Sequence, residues 1–157
     1  MTDRPLDLDA FIPFRLSFTS NLVSDTIART YDALFGLSIP EWRLIAVIAE
    51  TGGTSQGAIG ARTRMDKVTV SRAAIALVDR GLLQRSDNPG DRRSHLLTLT
   101  GAGRDLYAAV APKALDLERR IFAEFTPAEV EGFVAMLRRI DAVTLGLEKG
   151  SWTRSPA

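Results

Sequence analysis

Cysteine is absent from the 157 residues, and that gap removes disulfides, thiolate metal sites and peroxide-sensing thiols together. Histidine occurs once, at His95, so a zinc site of nitrogen and sulfur ligands has nothing to draw on. A strand residue contacting its neighbours is the common fate of such a histidine, and a pH-sensing role is the alternative. No apolar run approaches membrane-spanning length, and the first residues show no basic segment leading into an apolar one. The expectation is a cytoplasmic protein. Acidic residues form no hydrolytic pair, and neither a glycine-rich phosphate loop nor a nucleophile motif occurs. Catalysis therefore has no foothold, and no cofactor or metal is implied.

Net charge is also nearly absent, at +1, so the chain as a whole is no polybasic wrapper of nucleic acid. Its distribution is uneven. Residues 62–95 hold eight Lys/Arg against four Asp/Glu, a net of +4, which leaves −3 for the remainder. The length suits one compact domain, or a small protein whose core is completed by a partner.

The basic stretch has its own local logic. Asp66 is placed to cap a short helix on which Val70, Ala74 and Leu77 share one face, while Thr69, Arg72 and Ala76 point the other way. Gly81 ends that helix. A strand is expected over residues 82–86, a turn over Asp87-Asn88-Pro89-Gly90-Asp91, and a returning strand over residues 95–99. Thr100 caps the next helix. A helix followed by a hairpin with Arg92 and Arg93 at its tip is a winged helix-turn-helix. Its helix suits the major groove, and the thin cationic hairpin can reach the minor groove.

These residues resemble the DNA-binding core of the multiple-antibiotic-resistance regulator (MarR) family of bacterial transcription factors. The resemblance rests on Val70-Ser71-Arg72, on Leu77 with Arg80-Gly81-Leu82-Leu83 and Arg85, on Asp91-Arg92-Arg93, and on Leu99-Thr100 with Gly103. The Asp-x-Arg wing followed by a Leu-Thr helix start is specific, where a helix-turn-helix pattern alone is weak. The resemblance implies that Arg93 enters the minor groove and that Asp91 steadies it. It also implies that the helix opened near Ser55 and the helix after Asp66 form the two arms of the helix-turn-helix.

The flanks read as long helices. Phe11, Phe14, Phe18 and Leu22 form one stripe and Leu16, Val23, Ile27, Tyr31 and Leu34 a second, with Gly36 as the stop. Ser38-Ile39-Pro40-Glu41 has capping-box spacing and opens a helix burying Trp42, Ile45, Ala46 and Ile48 or Ala49. Thr54 is expected to cap a third helix over residues 55–62. After the wing, one apolar stripe runs to about Phe125 with Pro112 expected to kink it. Thr126-Pro127-Ala128-Glu129 is a second capping box, followed by Val130, Phe133, Leu137, Ile140 and Leu147 at seam-like spacing, with Thr144 in a polar gap. The expected fold is mainly α with a small β-hairpin wing. A winged helix-turn-helix core over residues 37–100 is flanked by dimerisation helices over 10–36 and 101–148, with loose ends at 1–9 and 149–157. A two-fold dimer is favoured over a single large helical core, because it matches palindromic sites and the family resemblance points the same way.

Arg72 is the candidate for base readout, since a guanidinium makes two hydrogen bonds to a guanine edge. Val68 is placed for a thymine methyl, Thr69 and Ser71 for bases or phosphates, and Lys67, Arg85 and Arg92 for phosphates. Ser55 and Gln56 open the preceding helix, where side-chain donors stand beside free N–H groups. The alternatives are a solvated surface arginine at Arg72 and a salt-bridged surface turn in place of the wing. Ser17, Ser20, Asn21 and Ser24 on the first helix either satisfy one another and the backbone, or face water, or, with Arg15, Trp42 and Arg43, line a cleft. The family resemblance makes such a cleft an effector site for small aromatic or lipophilic acids. The expected function is a homodimeric repressor on double-stranded DNA. The alternative is a winged-helix module that binds another protein.

Overall fold

The computed structural model describes residues 5–150, so parts of the two expected loose ends, 1–4 and 151–157, lie outside the described residues. The elements run α1 (Ile12–Phe35), α2 (Ile39–Thr51), α3 (Gln56–Thr63), α4 (Lys67–Asp79), β1 (Leu83–Asp87), β2 (His95–Leu99), α5 (Gly101–Ile121) and α6 (Pro127–Lys149). Of the described residues, those up to Ala114 pack as one compact unit and those from Leu115 on as a second.

In the first unit the helix ends follow local chemistry. Gly36, at φ 60, closes α1 and donates its N–H to the carbonyl of Asp32. The Ser38–Glu41 capping box forms as expected, with the Ser38 hydroxyl accepting from the Glu41 N–H at 3.3 Å and Glu41 Oε2 from the Ser38 N–H at 3.0 Å. At the end of α4, the N–H of Gly81 reaches Val78 O and that of Leu82 reaches Leu77 O, both at 2.9 Å, and Gly81 takes φ 70. Leu82 is therefore spent on closing a helix, and β1 starts one residue later than the expected 82. β1 and β2 pair antiparallel with Leu83 opposite Leu99 and Asp87 opposite His95.

Two helix boundaries differ from expectation. Ser55, not Thr54, caps α3, its hydroxyl accepting from the Ala58 N–H at 3.2 Å. Thr54 instead exchanges both backbone hydrogen bonds with Leu97, at 3.0 and 2.8 Å, and so adds a bridge to the hairpin's edge. The positive φ values of Gly52 and Gly53 turn the chain into that position. Helix α5 ends at Ile121 rather than near Phe125. The Thr126-Pro127 pair holds the approach to α6 extended, as the residue before a proline prefers. Through Pro112, α5 continues without interruption.

The core of the first unit is built from Leu37, Leu44, Ile45, Ile48, Ile59, Val70, Leu77, Leu97 and Val110, all fully buried. It holds α2, α3 and α4 against the hairpin. The carbonyl of Leu82 accepts the Thr100 N–H at 3.1 Å, and Gly103 passes directly beneath it, where a side-chain carbon has no room. The second unit contains the end of α5, a turn in which the Phe122 and Phe125 rings meet at 5.9 Å, and α6. No described residue of α6 is buried, and Phe133, Ile140 and Leu147 are exposed on it. The Thr144 hydroxyl satisfies itself on Ile140 O at 2.8 Å.

Candidate nucleic-acid interface

Helix α4 separates its faces cleanly. Val70, Ala73, Ala74 and Leu77 are buried, and Val68, Arg72 and Ile75 stand exposed on the opposite line. Its first turn is fixed by Asp66, whose carboxylate accepts the Thr69 N–H at 2.8 Å and the Thr69 hydroxyl at 2.9 Å. Those two bonds, the backbone one first, hold the Asp66 carboxyl below its ordinary value. They also give the Thr69 hydroxyl a direction: its proton is committed to Asp66, so outward it offers lone pairs and suits a base amino group better than a phosphate.

The hairpin tip is stiffened by its own side chains. Asn88 Oδ1 accepts the Gly90 N–H at 3.1 Å while Asn88 Nδ2 donates to Ser94 Oγ at 3.0 Å. Asp91 Oδ1 accepts the Arg93 N–H at 2.9 Å. The acid thus steadies the arginine through its backbone and leaves the guanidinium unengaged. Arg92, Arg93 and Arg85 are exposed.

Among the described residues Lys67, Arg72, Arg85, Arg92 and Arg93 take part in no ion pair, whereas Arg15, Arg62, Arg80, Arg119 and Arg120 do. Arg62 meets both oxygens of Glu50, and Arg80 spans from Glu41 to the carbonyls of Phe35 and Gly36 at the end of α1. Ser55 and Gln56 sit half-buried at the start of α3; the Ser55 cap uses a lone pair and leaves its proton free. Ser71 is half-buried beside Arg72.

The residues expected to line an effector cleft do not all come together within one chain. Trp42 is held between Tyr31, edge-on at 5.7 Å, and Tyr107, stacked at 5.8 Å. Arg15 pairs with Asp9 at 3.0 Å and lies over the Phe18 ring. It precedes Tyr31 by sixteen residues, about 24 Å along a helix axis. Ser20 and Asn21 are exposed on the same N-terminal half of α1, and Arg43 is exposed on α2. A different opening exists. A groove of about 530 Å³ lies among the end of α2, the hairpin and the start of α5, lined by Ile48, Gln84, Thr98, Leu99, Arg104 and Tyr107 among others. Nothing in the periodicity pointed to it, since its walls come from four elements. Ile75 was also missed, although it lies seven residues from Val68, two helical turns on and so on the same line.

Known proteins match this architecture. A sequence model described as the MarR family matches residues 35–94. A probable transcriptional regulator of known structure from Pseudomonas aeruginosa is 31% identical, with 85% of this chain and 99% of that one covered at a TM-score of 0.73. BpsR of Bordetella bronchiseptica, described as regulated in its DNA binding by 6-hydroxynicotinic acid, is 25% identical, covering 88% and 98% at a TM-score of 0.80. The transcriptional regulator HosA of Escherichia coli is 26% identical over 113 residues, 72% of this chain and 84% of HosA.

Proposed function

The chain belongs to the MarR family of DNA-binding transcriptional regulators, and from that premise we propose that it is a homodimeric repressor of a pseudo-palindromic operator. The observation that carries the reading is the set of five unpaired cations on α4 and the hairpin, Lys67, Arg72, Arg85, Arg92 and Arg93. In this reading Arg72 meets a guanine edge in the major groove and Arg93 enters the minor groove, with Asp91 holding its backbone. Lys67, Arg85, Arg92 and the Ser55–Gln56 turn grip phosphates, while Thr69 and Ser71 add polar contacts and Val68 an apolar one. A second copy supplies the other half-site, about 34 Å away along the duplex. Apolar residues left exposed in the single chain, Phe14, Phe18 and Leu22 on α1 and Phe133, Ile140 and Leu147 on α6, are the surface it would cover.

Effector control has a place in the same reading. The groove beside Arg104 combines apolar walls with a guanidinium, of which Nη1 is engaged by Leu99 O at 3.0 Å while other N–H groups remain. That chemistry fits a small aromatic acid, and BpsR, a relative, responds to one. A ligand there shifts DNA affinity by its differential affinity for the two conformations, and by no more.

The test is salt-titrated binding to duplexes selected from a random pool. Five cations per chain cap the slope of log K against log salt at about −4.5 per subunit, or about −9 for the dimer. Arg92→Ala should shrink it by about 1 per subunit with no change in sequence preference. Arg72→Ala should cost about 1–3 kcal/mol at one base pair, and Arg93→Ala should lower sensitivity to minor-groove composition. A protein that remains monomeric, or that binds selected and scrambled duplexes alike, is instead a protein-binding module.

A further inference from the structure

The outward line of α4 is not what a phosphate-gripping helix requires. Val68 is 58% exposed and Ile75 48% exposed, with Arg72 between them. Single exposed aliphatics are ordinary on protein surfaces. Here two β-branched ones occupy the same line of a 13-residue helix, and that line is the one opposite the buried Val70, Ala74 and Leu77. β-branching matters because such side chains keep essentially one rotamer in a helix, so their methyl groups are held in place before any partner arrives. The surroundings exclude an apolar protein partner as the natural occupant: five uncommitted cations on α4 and the hairpin favour a polyanion. In the major groove of DNA the one apolar group displayed is the 5-methyl of thymine.

We infer that Val68 and Ile75 are specificity-determining residues that contact the 5-methyl groups of two thymines in each half-site, on either side of the base met by Arg72. This rests on the regulator reading above and adds to it the second contact and the spacing. Seven residues of helix advance about 10.5 Å. With about 3.4 Å per base pair, a helix lying along the groove puts the two methyl groups about three base pairs apart. Arg72, four residues after Val68 and three before Ile75, falls between them. The half-site therefore carries a guanine flanked by thymines, and its discrimination at the flanks is apolar rather than hydrogen-bonded.

Thymine-to-uracil replacement removes only that methyl group, which makes the experiment direct. Duplexes are selected with the full-length protein from a random pool, and every thymine of the selected site is replaced in turn by uracil. Two positions per half-site, about three base pairs apart, should each lose about three- to fivefold in affinity, the size of one methyl transfer. Ile75→Ser should abolish the uracil effect at one position and leave the other intact, Val68→Ser should do the reverse, and Ile75→Val should keep both effects. Both residues are exposed, so thermal unfolding of the variants should match the parent. A flat uracil scan overturns the proposal, as does an Ile75→Ser variant that keeps the parent's sensitivity at every position. Equal affinity of the parent for selected and scrambled duplexes overturns the regulator reading, and this proposal with it.

Discussion

Gly103→Ala sets two known magnitudes against each other. Inside α5, exchanging glycine for alanine should gain about 0.8–1.0 kcal/mol from helix propensity alone. At Gly103, however, the added carbon would run into the carbonyl oxygen of Leu82, with the Leu82 carbonyl carbon at 3.1 Å and Leu99 Cδ2 at 3.3 Å. The leucine side chain can yield, but the carbonyl has little freedom. It accepts the Thr100 N–H at 3.1 Å, and the neighbouring Gly81 carbonyl accepts the Thr100 hydroxyl at 2.6 Å. Thr100 in turn caps α5 by accepting from the Gly103 N–H at 3.0 Å. Overpacking against a fixed group costs about 1–3 kcal/mol, and backbone lies at the upper end of that range. The clash should win, leaving a net loss of about 1–2 kcal/mol, or about 2–8 °C in Tm for a chain of this size. Gly146→Ala is the control: nothing lies within 4 Å of its added carbon, so it should be neutral or stabilising by up to about 1 kcal/mol. Thermal unfolding followed by helix signal, at one protein concentration, compares the two. A Gly103→Ala protein as stable as its parent would refute the reasoning and mean that the hairpin base is free to move.

The titrations of Asp66 and Tyr31 give further expectations. The Asp66 carboxyl lies below its ordinary 3.8 in the folded chain, held there by the Thr69 N–H and then the Thr69 hydroxyl. Its contribution to stability is therefore complete above the ordinary value and is lost as pH falls through the folded one. Asp66→Ala should melt below the parent at neutral pH, and the gap should close in acid; a gap independent of pH counts against the cap. Burial raises the Tyr31 phenol above 10.0. Stability from keeping it neutral is complete below 10.0 and is lost as pH rises through the folded value. In a Tyr107→Phe background the phenolate absorbance should rise later in the folded protein than in the urea-unfolded one. A midpoint at or below the unfolded one would mean Tyr31 is not buried.

What was legible in the chain was local. Both capping boxes, the Asp66 cap and the Thr100 start each depend on a side chain meeting a backbone group three residues on, and the Gly36 and Gly81 stops on a residue that tolerates positive φ. Spacing alone carries such information. The misplaced start of α3 came from a longer-range claim on the backbone. Thr54 and Ser55 are both competent caps, and only the pairing of Thr54 with Leu97, 43 residues away, assigns the role. Leu37 is buried from a loop that has no periodicity to reveal it. Leu44 is fully buried although it falls outside the expected set of Trp42, Ile45, Ala46 and Ile48 or Ala49. Trp42 is instead only half-buried, held between Tyr31 and Tyr107, while Leu44 fills the core. The groove beside Arg104 was invisible for the same reason: its walls meet only in three dimensions.

The use made of acids near the DNA-facing surface explains how a chain of net charge +1 can present a cationic face. Two of the four acids in residues 62–95, Asp66 and Asp91, spend their carboxylates on the N–H groups of Thr69 and Arg93. Had either paired with a guanidinium, the face would have lost a cation to a partner it would have to release before meeting a phosphate. Holding backbone instead, the same acids stiffen the helix start and the hairpin tip without neutralising Arg72 or Arg93. Away from this face some acids do pair with arginines. Glu50, Glu41 and Asp116 are matched to Arg62, Arg80, Arg119 and Arg120, where an ion pair joins helices or laces one and no ligand competes for it. Such exposed pairs contribute about 0–1 kcal/mol each, so little stability is forgone by leaving the cations of α4 and the hairpin unpaired. Unpaired, they each remain able to release a condensed counterion from a duplex, and binding at low net charge becomes a matter of placement rather than quantity.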